Sequence, residues 1–217
     1  MQFLYHKDSG KEVITLESEE FSHLKVRRVK LNEHLKLRNL KDEKLFLYEI
    51  IELNKHSCVL KLLKTELKSL PKSKFALALA VIEPKILEKT LPFLNELGVA
   101  KLILVYTAFS QKNFKIDFNR FERILINSCE QCGRNFLMNL ELFENVKEFL
   151  KKYPNALMVD FEGEICDLNQ NELYFIGPEG GFSEEERALF DKKIRLNSAH
   201  ILKSQSAIIG VAAKILI

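Results

Sequence analysis

Apolar and polar positions follow two different rhythms along the chain. Over residues 1–70 the apolar positions come in short runs with a period near two. Leu35-Lys36-Leu37-Arg38 alternates apolar and basic side chains, and 45–50 and 58–63 are further runs of strand length, separated by polar turns at 39–44 and 54–57. A period of two sends successive side chains to opposite faces of a sheet, so this third predicts a small, mostly β barrel. Phe21 and Leu24 are spaced for one helical face, and Ser18 is placed to cap it, which predicts one short helix over 18–28. Ser69-Leu70-Pro71-Lys72-Ser73-Lys74 is the best linker candidate, dividing the chain into 1–70 and 74–217.

From residue 75 the rhythm changes to buried strands alternating with amphipathic helices. The apolar runs 75–82, 101–106, 156–160 and 173–176 predict strands. Helices are predicted over 85–97, stopped by Gly98, over 119–134 with Phe121, Ile124, Leu125 and Ser128 on one face, and from 182 to about 192. The last helix, 206–217, is almost wholly apolar and contains Gly210, Ala212 and Ala213. It ends on Ile215-Leu216-Ile217, which water does not favour, so it predicts burial in the sheet unit, in a second subunit, or both. Strands alternating with helices over this length argue an α/β unit with a parallel sheet.

The most informative stretch is Leu173-Tyr174-Phe175-Ile176-Gly177-Pro178-Glu179-Gly180-Gly181-Phe182-Ser183. A buried strand runs into three glycines in five residues, which allow positive φ and let a ligand lie against the backbone. Pro178 fixes its own φ and pushes Gly177 toward extended geometry. Ser183 with Glu186 three residues later is a capping box, so a helix starts here. Strand, stiff loop and helix start together predict a cofactor-binding turn at the carboxyl end of a parallel sheet. Neither the Gly-x-x-x-x-Gly-Lys-Ser/Thr phosphate loop nor the Gly-x-Gly-x-x-Gly fingerprint fits, and Glu179 would repel a phosphate. An uncharged or cationic ligand fits better; the alternative is a tight turn without a ligand.

Composition narrows the class. The 217 residues are 47% hydrophobic and 29% charged, as in an ordinary globular protein. The longest apolar run, 75–82, is far short of the roughly 20 residues of a membrane span, and the early charges Lys7 and Asp8 argue against a signal peptide. A cytoplasmic protein with reduced thiols is the expectation. Cys129-x-x-Cys132 has no second pair and no nearby histidine; helical packing is its plainer reading, metal or redox work the alternative, and no metal site is expected. The net charge of +3 is uneven: residues 1–74 hold 16 Lys and Arg against 11 Asp and Glu, and 75–217 hold 17 against 19. Within the basic third, residues 25–44 carry eight cations and three acids, a face suited to phosphate backbones or simply a solvated lysine-rich surface.

The loop 176–183 and the late stretch Leu196-Asn197-Ser198-Ala199-His200-Ile201-Leu202-Lys203-Ser204-Gln205-Ser206-Ala207 closely resemble the ribosomal RNA small subunit methyltransferase E family of SPOUT-class enzymes. Asn95-Glu96-Leu97-Gly98-Val99, Glu130-Gln131-Cys132-Gly133-Arg134 and His23-Leu24-Lys25-Val26-Arg27-Arg28 resemble further family stretches, in order over nearly the whole chain. The resemblance implies an N-terminal PUA-like β-barrel over 1–70 and a SPOUT domain over 74–217 with a parallel sheet, a deep trefoil knot and the dimer interface. It implies methyl transfer from S-adenosyl-L-methionine to N3 of one uridine in 16S rRNA of the small ribosomal subunit, by an obligate homodimer. Gly177, Pro178, Glu179, Gly180 and Gly181 would wrap the cofactor. Leu196, Ile201 and Leu202 would flank its adenine, Ser204 and Ser206 would lie near its methionine portion, and Ala207 would also contact the cofactor. Arg134 would be the RNA-facing catalytic cation, and His23, Arg27, Arg28, Lys30 and Arg38 the phosphate contacts of the barrel.

The chain departs from the family where Lys203, Gln205, Phe93, Phe109 and Asn197 stand in place of Arg, Glu, Lys, Arg and Gly. These changes leave a backbone pocket intact and bear on charged side chains around it. A related SPOUT enzyme acting on tRNA or another rRNA site, and an inactive RNA-binding homologue, are the alternatives.

Overall fold

The computed structural model describes residues 1–70 and 72–217, without the side chains of 18, 19, 22 and 23. The expected cap from Ser18, the phosphate contact expected from His23 and Pro71 of the expected linker therefore lie outside the described residues. The chain divides into two compact units, Met1–Pro71 with Ile126–Leu137, and Lys72–Leu125 with Met138–Ile217.

In the first unit, strands β1 (Leu4–Tyr5), β2 (Val13–Glu17), β3 (His34–Arg38), β4 (Lys44–Leu53) and β5 (Ser57–Leu67) form one sheet in the order β1-β3-β4-β5-β2. All pairings are antiparallel except β1 with β3. Helix α1 (Ser18–Val26) packs Phe21 and Leu24 against this sheet, on a core with Leu16, Leu37, Ile50 and Leu60. Tyr48 is fully buried there, and its hydroxyl is satisfied by donating to the Lys11 carbonyl (2.7 Å) and accepting from Gly10 N–H (2.9 Å). Segment 126–137 joins the unit through Cys129, buried beside Phe3, Leu40 and Leu45, and through Glu130, which accepts from Gln2 N–H on its carbonyl and Tyr5 N–H on its carboxylate.

The second unit is a six-stranded, wholly parallel sheet in the order β11-β9-β10-β6-β7-β8. Its strands are β6 (Ala76–Ala80), β7 (Lys101–Val105), β8 (Asn139–Phe143), β9 (Leu157–Ile165), β10 (Tyr174–Ile176) and β11 (Lys193–Arg195). Its helices are α2 (Pro84–Leu97), α3 (Phe118–Cys132), which runs on into the first unit, α4 (Val146–Lys152), α5 (Glu184–Arg187) and α6 (Ser204–Leu216). The alternating Ala-Leu pattern of β6 buries both faces, as a central parallel strand requires. One face carries an aromatic core in which Phe175 meets Phe149 and Phe182, each at 5.0 Å between ring centroids. Helix α6 packs on α2, β6 and β10. Among the described residues no helix is long and apolar enough to cross a membrane.

Two expectations change. The helix expected over 182–192 is a single turn: Leu189 and Phe190 close onto Glu186 and Arg187 by tight i→i−3 bonds, and Phe190 turns into the aromatic core. The strand expected over 156–160 runs on to Ile165, although its last residues are largely exposed. Strands β1, β2, β8 and β11 and helix α4 add to the elements expected.

Candidate functional site

Beyond the carboxyl end of β10, beside the middle of β9, lies a cleft of about 580 Å³, inside the usual range for a small-molecule site. It is built from Val159, Asp160 and Phe161, the loop 177–181, residues 195–202 after β11, and the first turn of α6.

Each glycine of the loop has its own reason. Gly181 stands at φ +72°, where a side chain is strained, and its N–H closes a turn onto the Pro178 carbonyl at 2.9 Å. Gly177 is a matter of room: a Cβ there would sit 2.8 Å from the buried Phe182 ring. A Cβ on Gly180 would lie 3.4 Å from Cβ of Phe109. Buried Ser204 donates its hydroxyl to the Gly177 carbonyl (2.8 Å), tying α6 to the loop. The capping box is complete: Ser183 Oγ accepts from Glu186 N–H and Glu186 Oε2 from Ser183 N–H. The other oxygen of Glu186 accepts from Ala108 N–H at 2.8 Å, fastening the loop after β7.

An ion pair closes one wall. Arg187 Nε donates to Asp160 Oδ2 at 3.0 Å, and its Nη1 donates to Glu184. The Asp160 side chain is 3% exposed and that of Arg187 20%. The hydrogen bond to Asp160 holds the Arg187 guanidinium above the usual arginine range. Phe161 (62% exposed), Ile165 and Ile201 supply apolar surface, and Glu179 carries an exposed carboxylate on the loop. Backbone polar groups, flat apolar walls and a carboxylate suit a ligand with an aromatic ring and a cationic centre, and S-adenosylmethionine has both.

The structure gathers Gly177, Pro178, Glu179, Gly180, Gly181, Leu196, Ile201, Leu202, Ser204 and Ala207 around this one cleft. Ser206 is exposed on α6 and does not line it. Arg134 does not line it either: it follows α3, half-buried in the segment that belongs to the first unit, where burial pushes its guanidinium below the usual range. Arg38 is corrected outright as a phosphate contact. It is 3% exposed, with its guanidinium over the Phe3 ring and Nη1 donating to the Lys44 carbonyl, so it belongs to the core. Arg27, Arg28 and Lys30 are exposed. Asp160, Phe161 and Arg187 were not anticipated; the signal for the first was a carboxylate at the carboxyl end of the apolar run Leu157-Met158-Val159. Among the described residues no group of three or more His, Cys, Asp and Glu could hold a metal ion.

Comparison with known proteins agrees with this architecture. An RNA methyltransferase domain family matches residues 68–216, and an RNA methyltransferase PUA domain family matches 16–63. Ribosomal RNA small subunit methyltransferase E of Helicobacter pylori strain 26695 is 48% identical over 98% of both chains, and that of strain J99 is 46% identical over the same shares. The crystal structure of a Neisseria gonorrhoeae ribosomal RNA small subunit methyltransferase E, bound to S-adenosyl methionine, superposes with a TM-score of 0.81 at 23% identity, covering 98% of this chain and 96% of that one. The fold is thus a SPOUT-class α/β domain with a PUA-like N-terminal unit. With both domain families matched in chain order and full-length relatives near half identity, the chain belongs to the ribosomal RNA small subunit methyltransferase E family.

Proposed function

We propose that this chain methylates N3 of a specific uridine in 16S rRNA of the small ribosomal subunit, in the cytoplasm, with S-adenosyl-L-methionine held in the cleft. One observation carries the reading: the loop 177–181 and the stretch 196–207, the two segments of strongest family resemblance, converge on one cleft of cofactor size. When bound, the cofactor supplies a methyl group on a positively charged sulfur.

The chain's own residues bind and orient. The backbone of Gly177, Gly180 and Gly181 forms the cradle, Phe161, Ile201 and Leu202 flank a flat ring, and the Glu179 carboxylate favours a cationic centre. Fixing the two reactants in line removes most of the entropic part of the barrier. Uridine N3 carries a proton that must leave. Asp160 is engaged by Arg187, so Glu179 and His200 are the cleft groups that can receive it. Exposed Arg27, Arg28 and Lys30 of the first unit would hold phosphates, which gives affinity and register rather than base choice. The same reading includes a deep trefoil knot in the second unit and a homodimer. Support for the dimer is the apolar helix α6, which leaves Gly210 open and Ile217 94% exposed.

The test is transfer of labelled methyl from S-adenosylmethionine to small subunits from a strain lacking this protein, with mass mapping of the product nucleoside. N3-methyluridine in 16S rRNA is the expected result. Label in tRNA or another rRNA position instead would move the target within the same enzyme class. Absence of both label and cofactor binding would leave an RNA-binding homologue.

A further inference from the structure

The turn after β7 exposes an aromatic ring where stability alone gives no reason for one. Thr107 and Ser110 are buried, with their hydroxyls 3.1 Å apart, and Ser110 donates to the Val81 carbonyl at 2.8 Å. Ala108 N–H is held by Glu186. Between these anchors Phe109 stands 54% exposed. Its Cβ and ring lie against Gly180, which lines the cleft on its other side, while Phe109 itself is outside the lining. These bonds hold the backbone on either side of Phe109 at the rim of the cleft, and Glu186 ties it to the same α5 cap that starts beside the glycine loop.

We propose that Phe109 is a substrate-positioning residue that stacks on an unstacked pyrimidine of the RNA as it meets the cofactor cleft. This rests on the reaction proposed above. A base that reacts in a cleft must leave its own stack and lose the stacking it had there. Single-stranded RNA is commonly held by aromatic side chains that replace the lost stacking. With the cofactor held in the cleft, the acceptor base would approach over the rim, where Gly180 has no side chain and Phe109 offers the ring. Phe161, inside the lining, faces the cofactor instead.

The test compares Phe109→Ala, Phe109→Leu and Phe109→Tyr in the full-length protein. Three readouts are taken: KM for small subunits in methyl transfer, calorimetric affinity for S-adenosylmethionine, and sedimentation, which also tests the dimer. The expected result is a rise in KM of about tenfold or more for Ala and Leu and near wild-type behaviour for Tyr. Cofactor affinity and sedimentation stay unchanged. Leu behaving like Phe would reduce the ring to apolar bulk and overturn the proposal. So would an unchanged KM for Ala, or a loss that follows cofactor affinity or sedimentation. If wild-type protein labels a different RNA, the target reading fails and the same comparison is scored on that RNA. If it labels none, the comparison is scored by equilibrium binding of a uridine oligoribonucleotide: loss with Ala and Leu but not Tyr supports stacking, and equal binding overturns it.

Discussion

Arg187 joins the middle of β9 to the first turn of α5 through a carboxylate that is almost fully buried. Removing one partner of such a pair strands a charge away from water, whereas the bond from Arg187 to exposed Glu184 contributes little. Arg187→Met leaves Asp160, among the described residues, with only the Glu162 N–H and should destabilise the protein, though less than removal of one partner from a fully buried pair because Arg187 keeps some contact with water. Arg187→Lys, which keeps the charge but loses the fork, should fall between the two. Urea denaturation reads the stability, and calorimetric titration with S-adenosylmethionine should show weaker binding, since both residues line the cleft. Wild-type values in both measurements would remove the pair from any account of the site. At this scale the sequence told part of the story. It marked the loop glycines as permissive and Gly177 as extended, but it did not show that Gly181 alone of the three takes positive φ or that Gly177 needs room for Phe182. A close approach between side chain and backbone leaves no trace in a one-dimensional pattern. The pattern was equally silent about Arg38, whose basic alternation in β3 looks like a surface and is a core contact.

Elements with strong periodicity were legible, and those held by partners were not. Helix α2 ends at Gly98, at φ +92°, as its sequence signal required. By contrast β11 is three residues with one buried side chain, Ile194, and it exists because β9 offers it hydrogen bonds. The pairing jumps from Lys193 opposite Met158 to Ile194 opposite Glu164, so the intervening part of β9 bulges, and Gly163 lies so close that a Cβ would be 2.3–2.6 Å from the Ile194 backbone. That backbone leads directly into residues 195–202, one wall of the cleft. Gly163→Ala should therefore push β11 from β9, costing about 1–3 kcal/mol in stability and loosening that wall. Weaker cofactor binding with the aromatic core intact by near-ultraviolet circular dichroism is the expected pattern. Binding as tight as in the wild type would mean that β11 does not set the wall.

The whole chain carries a net charge of only +3, and that figure conceals its distribution: a surplus of five cations in residues 1–74 and a deficit of two beyond. Composition made this asymmetry visible, but it did not show that residues 126–137, the end of a helix that begins in the second unit and the segment after it, complete the first. Their link runs through Cys129 and Glu130 to Phe3 and Tyr5, contacts far apart in sequence with no periodic signature. If the basic unit holds RNA through Arg27, Arg28 and Lys30, binding must release counterions, and log K must fall linearly with log salt. On single-stranded RNA each phosphate contact contributes a slope of about −0.7, so replacing all three cations with alanine should flatten the line by about 2. Arg38→Ala is the internal control. It removes one formal charge, which at a phosphate contact would change the slope by about 0.7, yet its guanidinium is buried over Phe3, so it should lower the unfolding midpoint and leave the slope nearly unchanged. Filter binding at several salt concentrations separates the cases. A flat wild-type response, or a triple variant with the wild-type slope, would move the RNA contact away from this surface.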